Sequence, residues 1–203
     1  MIAGYFGSGA QGHPNQGYEL LPPYGQGSYV NENFPGSVQT QVTGLNNRGV
    51  TVGFWSTMNT ASMTNNNFGF VSVGGRFYNV NFPTGDNASP PVDQLLGVND
   101  SDVAVGFYTD GQGNNHGYEY NVNTHRFTRV TDPTLPGASL TAAAINDEGD
   151  VAGFYTADEI THGFLNTRGG QFIDLEPYRA ARTLLPGELP DPRRCGSVFQ
   201  RRS

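Results

Sequence analysis

At 203 residues and a net charge of −7, the chain is long enough for one packed domain or a few stacked repeats. Charged residues make up 14% of it, against about 25% in an ordinary domain, while aromatics reach 12% and glycines number 28. That balance excludes a disordered segment and fits many short strands joined by tight turns.

Charge is unevenly spread. Residues 1–177 carry 16 acids and five Arg, a net −11, whereas residues 178–203 carry six Arg and two acids, a net +4. The chain has no lysine. An acidic body without clustered cations excludes nucleic-acid binding through residues 1–177. No apolar run approaches the ~20 residues of a membrane-spanning helix. Residues 1–20 place Gly, Asn, His and Pro between aromatics and do not read as a signal peptide. Cys195 stands alone, so no disulfide forms within the chain.

In chain order, the sequence divides into four copies of one unit: 2–40, 41–91, 92–139 and 140–177. Copy one opens late, at Gly4-Tyr5-Phe6. Copies two to four each set an Asn (Asn46, Asn99, Asn146) seven residues before a Gly (Gly53, Gly106, Gly153). Two aromatics follow each Gly: Phe54-Trp55, Phe107-Tyr108 and Phe154-Tyr155. After a loop comes a second Gly-aromatic pair, Gly17-Tyr18, Gly69-Phe70, Gly117-Tyr118 and Gly163-Phe164. A third aromatic (Tyr29, Phe77, Phe127, Phe172) and a proline (Pro35, Pro83, Pro133, Pro177) end each unit. Agreement across copies at a period of about 50 residues is the signature of repeat architecture.

Each period holds four segments of four to eight residues bounded by Gly, Asn and Asp, with no helical periodicity. In copy four they are "LTAAAIN", "DVAGFY", "HGFLN" and "QFIDL", with turns at 146–149 and 167–170 and a longer loop at 156–161. The expected fold is all-β: repeated four-stranded antiparallel sheets arranged like propeller blades, about four in number, the first lacking its first strand. The glycines are expected to leave notches that neighbouring rings fill. Residues 178–203 form a basic, Arg- and Pro-rich tail, expected to be irregular or partly helical around residues 178–185, with "GSVFQ" as a weak strand candidate. Three full blades plus three strands stop short of closing a ring. The open edges then predict pairing of the chain with itself or with another chain.

The stretches "INDEGDVAGFY" with "HGFLN" and "VNDSDVAVGFY" with "HGYEY" resemble the HAF-type bacterial extracellular repeat. The copy at "LNNRGVTVGFW" and "FGFVS" is more divergent, and a Gly stands where many members have Ala between the His and the aromatic. The resemblance covers residues 1–177. It implies a secreted or surface-attached β-rich repeat protein, propeller-like in build, whose partner is a protein or carbohydrate at the cell surface. It implies no particular activity and no cofactor.

Candidate sites fall into five groups. Asp100, Asp102, Asp147 and Asp150 surround the recurring turns and are oxygen ligands of the type calcium takes. The same residues also suit Asx turns, in which Asn or Asp accepts from the backbone two residues on, and Asn47-Arg48 in copy two opposes a cation. His116 and His162 share one repeat position, too few ligands for zinc. Glu19, Glu32, Glu119, Asp158 and Glu159 show no spacing that pairs two acids for glycoside hydrolysis. "GSGAQG" at 7–12 lacks the Lys-Ser/Thr of a phosphate loop and reads as a hairpin loop. The rings Tyr18, Tyr24, Tyr29, Trp55, Tyr78, Tyr108, Tyr118, Tyr120 and Tyr155 read first as core and second as a stacking surface for sugars or protein. Three functions follow: a non-catalytic extracellular module, a lectin-like carbohydrate binder, and a hydrolase with its site at the blade ends.

Overall fold

The computed structural model describes residues 1–60, 65–132, 134–135, 137–157 and 159–175. The tail and its helix and strand candidates, with Cys195, Asp158, Pro133 and Pro177, lie outside these residues.

Among the described residues, fifteen strands form four separate antiparallel sheets, each a simple meander in chain order. Sheet 1 has three strands, β1 (Ile2–Phe6), β2 (Gln16–Leu20) and β3 (Tyr29–Asn31). Sheet 2 comprises β4 (Gln39–Leu45), β5 (Val50–Ser56), β6 (Phe68–Val73) and β7 (Arg76–Asn79). Sheet 3 comprises β8 (Asp93–Val98), β9 (Val103–Thr109), β10 (Asn115–Asn121) and β11 (Arg126–Arg129). Sheet 4 comprises β12 (Ser139–Ile145), β13 (Val151–Ala157), β14 (Ile160–Asn166) and β15 (Phe172–Leu175). No α-helix occurs among the described residues; one 3-10 turn spans Gln26–Ser28. Sheet 1 lacks the strand that begins the other three. Two details differ from the sequence reading. Sheets 2 and 4 begin at 39 and 139, a residue or two early, and the loop expected at 156–161 is a tight hairpin in which Ala157 pairs Ile160.

Register explains the repeat. Gly53 faces Phe70, Gly106 faces Tyr118, Gly153 faces Phe164, and Gly4 faces Tyr18. The first strand of sheets 2, 3 and 4 shifts register at one place, between Val42 and Gly44, Leu95 and Gly97, and Ala142 and Ala144. Such a bulge bends the strand and increases its local twist. A β-carbon on Gly53, Gly106 or Gly153 would overlap the carbonyl oxygen of Gln41, Gln94 or Thr141. The ring-in-notch contact is also present at Gly53 and Gly153, where it would meet Phe70 and Phe164 at 2.9 and 2.8 Å. At Gly106 the nearest atoms are all backbone, so the carbonyl beside the bulge is the contact common to all three.

Alternation of side chains gives each sheet two faces. A near face, carrying Gly53 and Phe70 or their equivalents, meets the sheet before; a far face meets the sheet after. The far face of sheet 2 (Val50, Val52, Val71) and the near face of sheet 3 (Leu95, Ala104, Tyr108, Tyr118, Tyr120) make one core. Val105 of sheet 3 and Leu140, Ala142, Val151, Tyr155 and Phe164 of sheet 4 make the next. Each buried ring or branched chain brings about 1.5–3 kcal/mol of transfer free energy.

Candidate functional site

Two features recur in space as they do in sequence: a row of turns at one end of the sheets, and a cage of three rings on each near face.

In the turns, each Asn folds its own loop, and Asn46 and Asn99 also reach to the next sheet. Asn46 Oδ1 accepts from the N–H of Arg48 and of Val50, at 3.0 and 2.9 Å. Asn99 Oδ1 does the same for Ser101 and Val103, and Asn146 Oδ1 for Asp150. Asn46 Nδ2 donates to the Asn99 carbonyl at 2.9 Å, and Asn99 Nδ2 donates to the Asn146 carbonyl at 3.0 Å. The backbone N–H groups follow the same path: Asn47 donates to Asp100 Oδ1 and Asp100 to Asp147 Oδ1, both at 2.8 Å.

The four aspartates are therefore engaged. Asp100 takes two bonds from Asn47, which hold its carboxyl below the usual aspartate range. Asp102 is buried and accepts from Asn46 Nδ2, Asn123 Nδ2 and the Arg48 guanidinium at 2.9 Å. Asp150 accepts from Arg168 N–H and Asn146 Nδ2. Asp102 also occupies the left-handed position, φ +57°, that Gly49 and Gly149 hold in the other turns, and its three bonds offset that conformation. Asp100, Asp147 and Glu148 line a shallow depression of about 330 Å³ with the Asn residues of three copies. No group of three or more His, Cys, Asp or Glu is placed to hold a metal among the described residues.

The two histidines sit apart, each stacked on the ring of the preceding strand: His116 on Tyr108 at 4.9 Å and His162 on Tyr155 at 5.0 Å. His116 Nε2 also lies 2.8 Å from Asp110 Oδ2, a contact that draws the Asp110 carboxyl down to about 2. Glu32 is buried and accepts from Thr51 Oγ1 at 2.6 Å; Glu19 is raised by burial and then by the charge of Glu32.

Asp93 carries a signal the repeat pattern hid. It occupies the place of Thr40, accepts from the Phe82 N–H at 2.7 Å and from the Tyr118 hydroxyl, and burial pushes its carboxyl up to about 7. Arg129 was likewise not singled out by sequence. Its guanidinium donates to the Tyr108 hydroxyl at 3.0 Å and lies over the Phe82 ring, 5.2 Å from its centre.

The cages are Trp55, Phe70 and Phe77 in sheet 2, Tyr108, Tyr118 and Phe127 in sheet 3, and Tyr155, Phe164 and Phe172 in sheet 4. A phenylalanine from the preceding unit enters two of them. Phe34 stacks on Trp55 at 4.3 Å and 2°, with Phe70 and Phe77 around it. Phe82 stacks on Tyr108 at 4.9 Å and 14°, with Tyr118 and Phe127 around it. Asp132 stands where the third such ring would be, and Phe164 and Phe172 close on each other at 4.9 Å and 16°. In sheet 1 the same three positions are Phe6, Tyr18 and Tyr29. Phe6 and Tyr29 are 60% and 49% exposed, and the three rings border a cavity of about 650 Å³ with Gln16, Gln26, Asn31 and Asn33. Tyr108, Tyr118, Tyr120 and Tyr155 are core, whereas Tyr24, Tyr29 and Tyr78 are exposed.

No family model, curated protein or solved structure matches the chain.

Proposed function

We propose that the chain is a non-catalytic, extracellular binding or structural module, a partial propeller-like array of HAF-like repeats that acts at the cell surface on a protein or carbohydrate partner. One observation carries the reading: the polar residues that recur are consumed in joining one sheet to the next. Asn46, Asn99, Asp100, Asp102 and Asp147 all accept or donate between neighbouring turns or sheets. An acid–base pair needs a carboxyl group free to meet a substrate proton. The large cavity offers rings and amides and no carboxylate.

The test is a turnover screen against chromogenic glycosides, esters and peptides. The expected result is no turnover with wild-type protein. Turnover abolished by Asp93→Asn or Asp110→Asn would end the non-catalytic reading. Display on intact cells from which the protein is expressed, scored by surface protease protection, tests the location.

The lectin-like alternative is favoured by the composition of the open cage, since aromatic faces beside amide groups stack on and hydrogen-bond to sugars. A glycan array separates the two: retention on a defined glycan, lost in Tyr29→Ala, supports the lectin.

A further inference from the structure

We infer that the open cage of sheet 1 is a docking site for an extended peptide that presents phenylalanine followed by proline, preceded by asparagine. This deepens the reading of the chain as a binding module and rests on it.

The chain itself displays the fitting ligand twice. In "NFP" at 33–35 and again at 81–83, the same three residue types leave one sheet and seal the near face of the next. In both, Asn Oδ1 accepts a backbone N–H of the sheet being left, Gly17 at 2.8 Å for Asn33 and Gly69 at 3.0 Å for Asn81. In both, the phenylalanine N–H donates to the first strand of the next sheet, to Thr40 Oγ1 or Asp93 Oδ2. The ring then lies flat on the cage's first aromatic and edge-on to its third, at 77° in each case. Proline after the ring fixes the chain direction and lowers the entropy lost on docking.

The geometry of sheet 1 is that of a filled cage. Tyr18 and Tyr29 meet at 5.2 Å and 65°, close to the 5.5 Å and 61° of Tyr118 and Phe127 around Phe82. Sheet 4, which also receives no phenylalanine, shows what a collapsed cage looks like: its second and third rings stack at 16°. Sheet 1 has not collapsed. Its rings stay splayed about a cavity of about 650 Å³, with Gln26 on the wall to meet a peptide backbone and Gln16 beside it accepting from Asn33 Nδ2 at 2.9 Å. Sheet 1 lacks the first strand whose Thr40 or Asp93 accepts the incoming N–H, so a peptide makes one bond fewer here than Phe34 and Phe82 make in their own cages. A second folded copy of the chain has both phenylalanines in use and cannot supply one without unfolding. The occupant is therefore an asparagine–phenylalanine–proline segment from outside residues 1–203.

The experiment uses full-length protein and the acetylated, amidated peptide Val-Asn-Phe-Pro-Thr-Gly, the sequence of residues 80–85, carrying a fluorescent label read by anisotropy. The expected result is saturable binding with a dissociation constant no weaker than about 1 mM. Replacing the peptide phenylalanine by alanine, or substituting Phe6→Ala or Tyr29→Ala, weakens it about tenfold or more; Tyr78→Ala, an exposed ring outside the cage, leaves it unchanged. Circular dichroism melts confirm that the exposed cage variants remain folded. Four results would overturn the inference: no saturation at that concentration, equal binding of the alanine peptide, insensitivity to both cage substitutions, or self-association of the protein that Phe6→Ala abolishes. Enzymatic turnover in the screen above would instead defeat the non-catalytic reading and leave this binding result standing.

Discussion

Asp93 is a buried side chain whose ionisation is linked to stability. Its carboxyl titrates near 7 in the folded protein because burial disfavours the charge, against 3.8 for the ordinary group. The folded state therefore holds a proton that the unfolded chain has released. Stability is greatest near the unfolded value and falls as pH rises toward 7, by at most about 1.4 kcal/mol per pH unit. Burial raises Glu19 and Glu119 in the same direction. Asp110 acts oppositely: depressed to about 2 by His116, it contributes stability above pH 3.8 that is lost as pH falls through 2. Urea midpoints measured from pH 4 to 8 should fall with pH in wild type and flatten in Asp93→Asn. An unchanged slope would locate the linkage elsewhere. None of this was legible in sequence. Asp93 lies where copies two and four have Thr40 and Leu140, so the pattern gave it no special standing, and its burial depends on Tyr118 arriving from β10 and Phe82 from the loop after β7.

At the scale of the element, the glycines separate by what surrounds them. Gly106→Ala forces a β-carbon into the Gln94 carbonyl and should cost about 3 kcal/mol, the upper end of overpacking. Gly163 has Leu175 Cβ at 3.4 Å and no sheet beyond it among the described residues, so Gly163→Ala should stay within about 0.5 kcal/mol of wild type. Equal losses in denaturant unfolding would remove the bulge as the reason for the conserved spacing within the chain. The turns make a parallel case. Asn99 joins its own loop to the next sheet, whereas the Nδ2 of Asn146 reaches only Asp150, at 3.3 Å. Asn99→Ala should cost about 1 kcal/mol more than Asn146→Ala, one hydrogen bond's worth. Strands, turns and the missing first strand of copy one were readable from the Asn–Gly–aromatic spacing, because each of those residues answers a local demand of turn or bulge. The hand-over from turn to turn was not. It needs Asn46 beside Asn99, 53 residues away, and no local pattern specifies which sheet will lie alongside.

Across the whole molecule, stability is shared between neighbours, as in repeat arrays whose units contact only adjacent units. The exposures follow from that. Phe54 on the far face of sheet 2 is 9% exposed, and Phe154 at the same position on sheet 4 is 45% exposed, because a sheet covers the first and none of the described residues covers the second. Phe82 is one of the links between sheets 2 and 3, and Phe82→Ala should cost about 3–5 kcal/mol if its site does not collapse. It should also pull the urea midpoint read by Trp55 fluorescence, at the junction of sheets 1 and 2, away from the midpoint read by circular dichroism over all the sheets. Coincident midpoints in the variant would mean the sheets are coupled by other contacts. The bonds between turns all run one way: Asn46 and Asn47 donate forward to the third sheet, and Asn99 and Asp100 forward to the fourth. A gene that duplicated one such unit in place would thus meet matching partners at both junctions, so the number of units can grow or shrink by recombination without a new interface having to evolve.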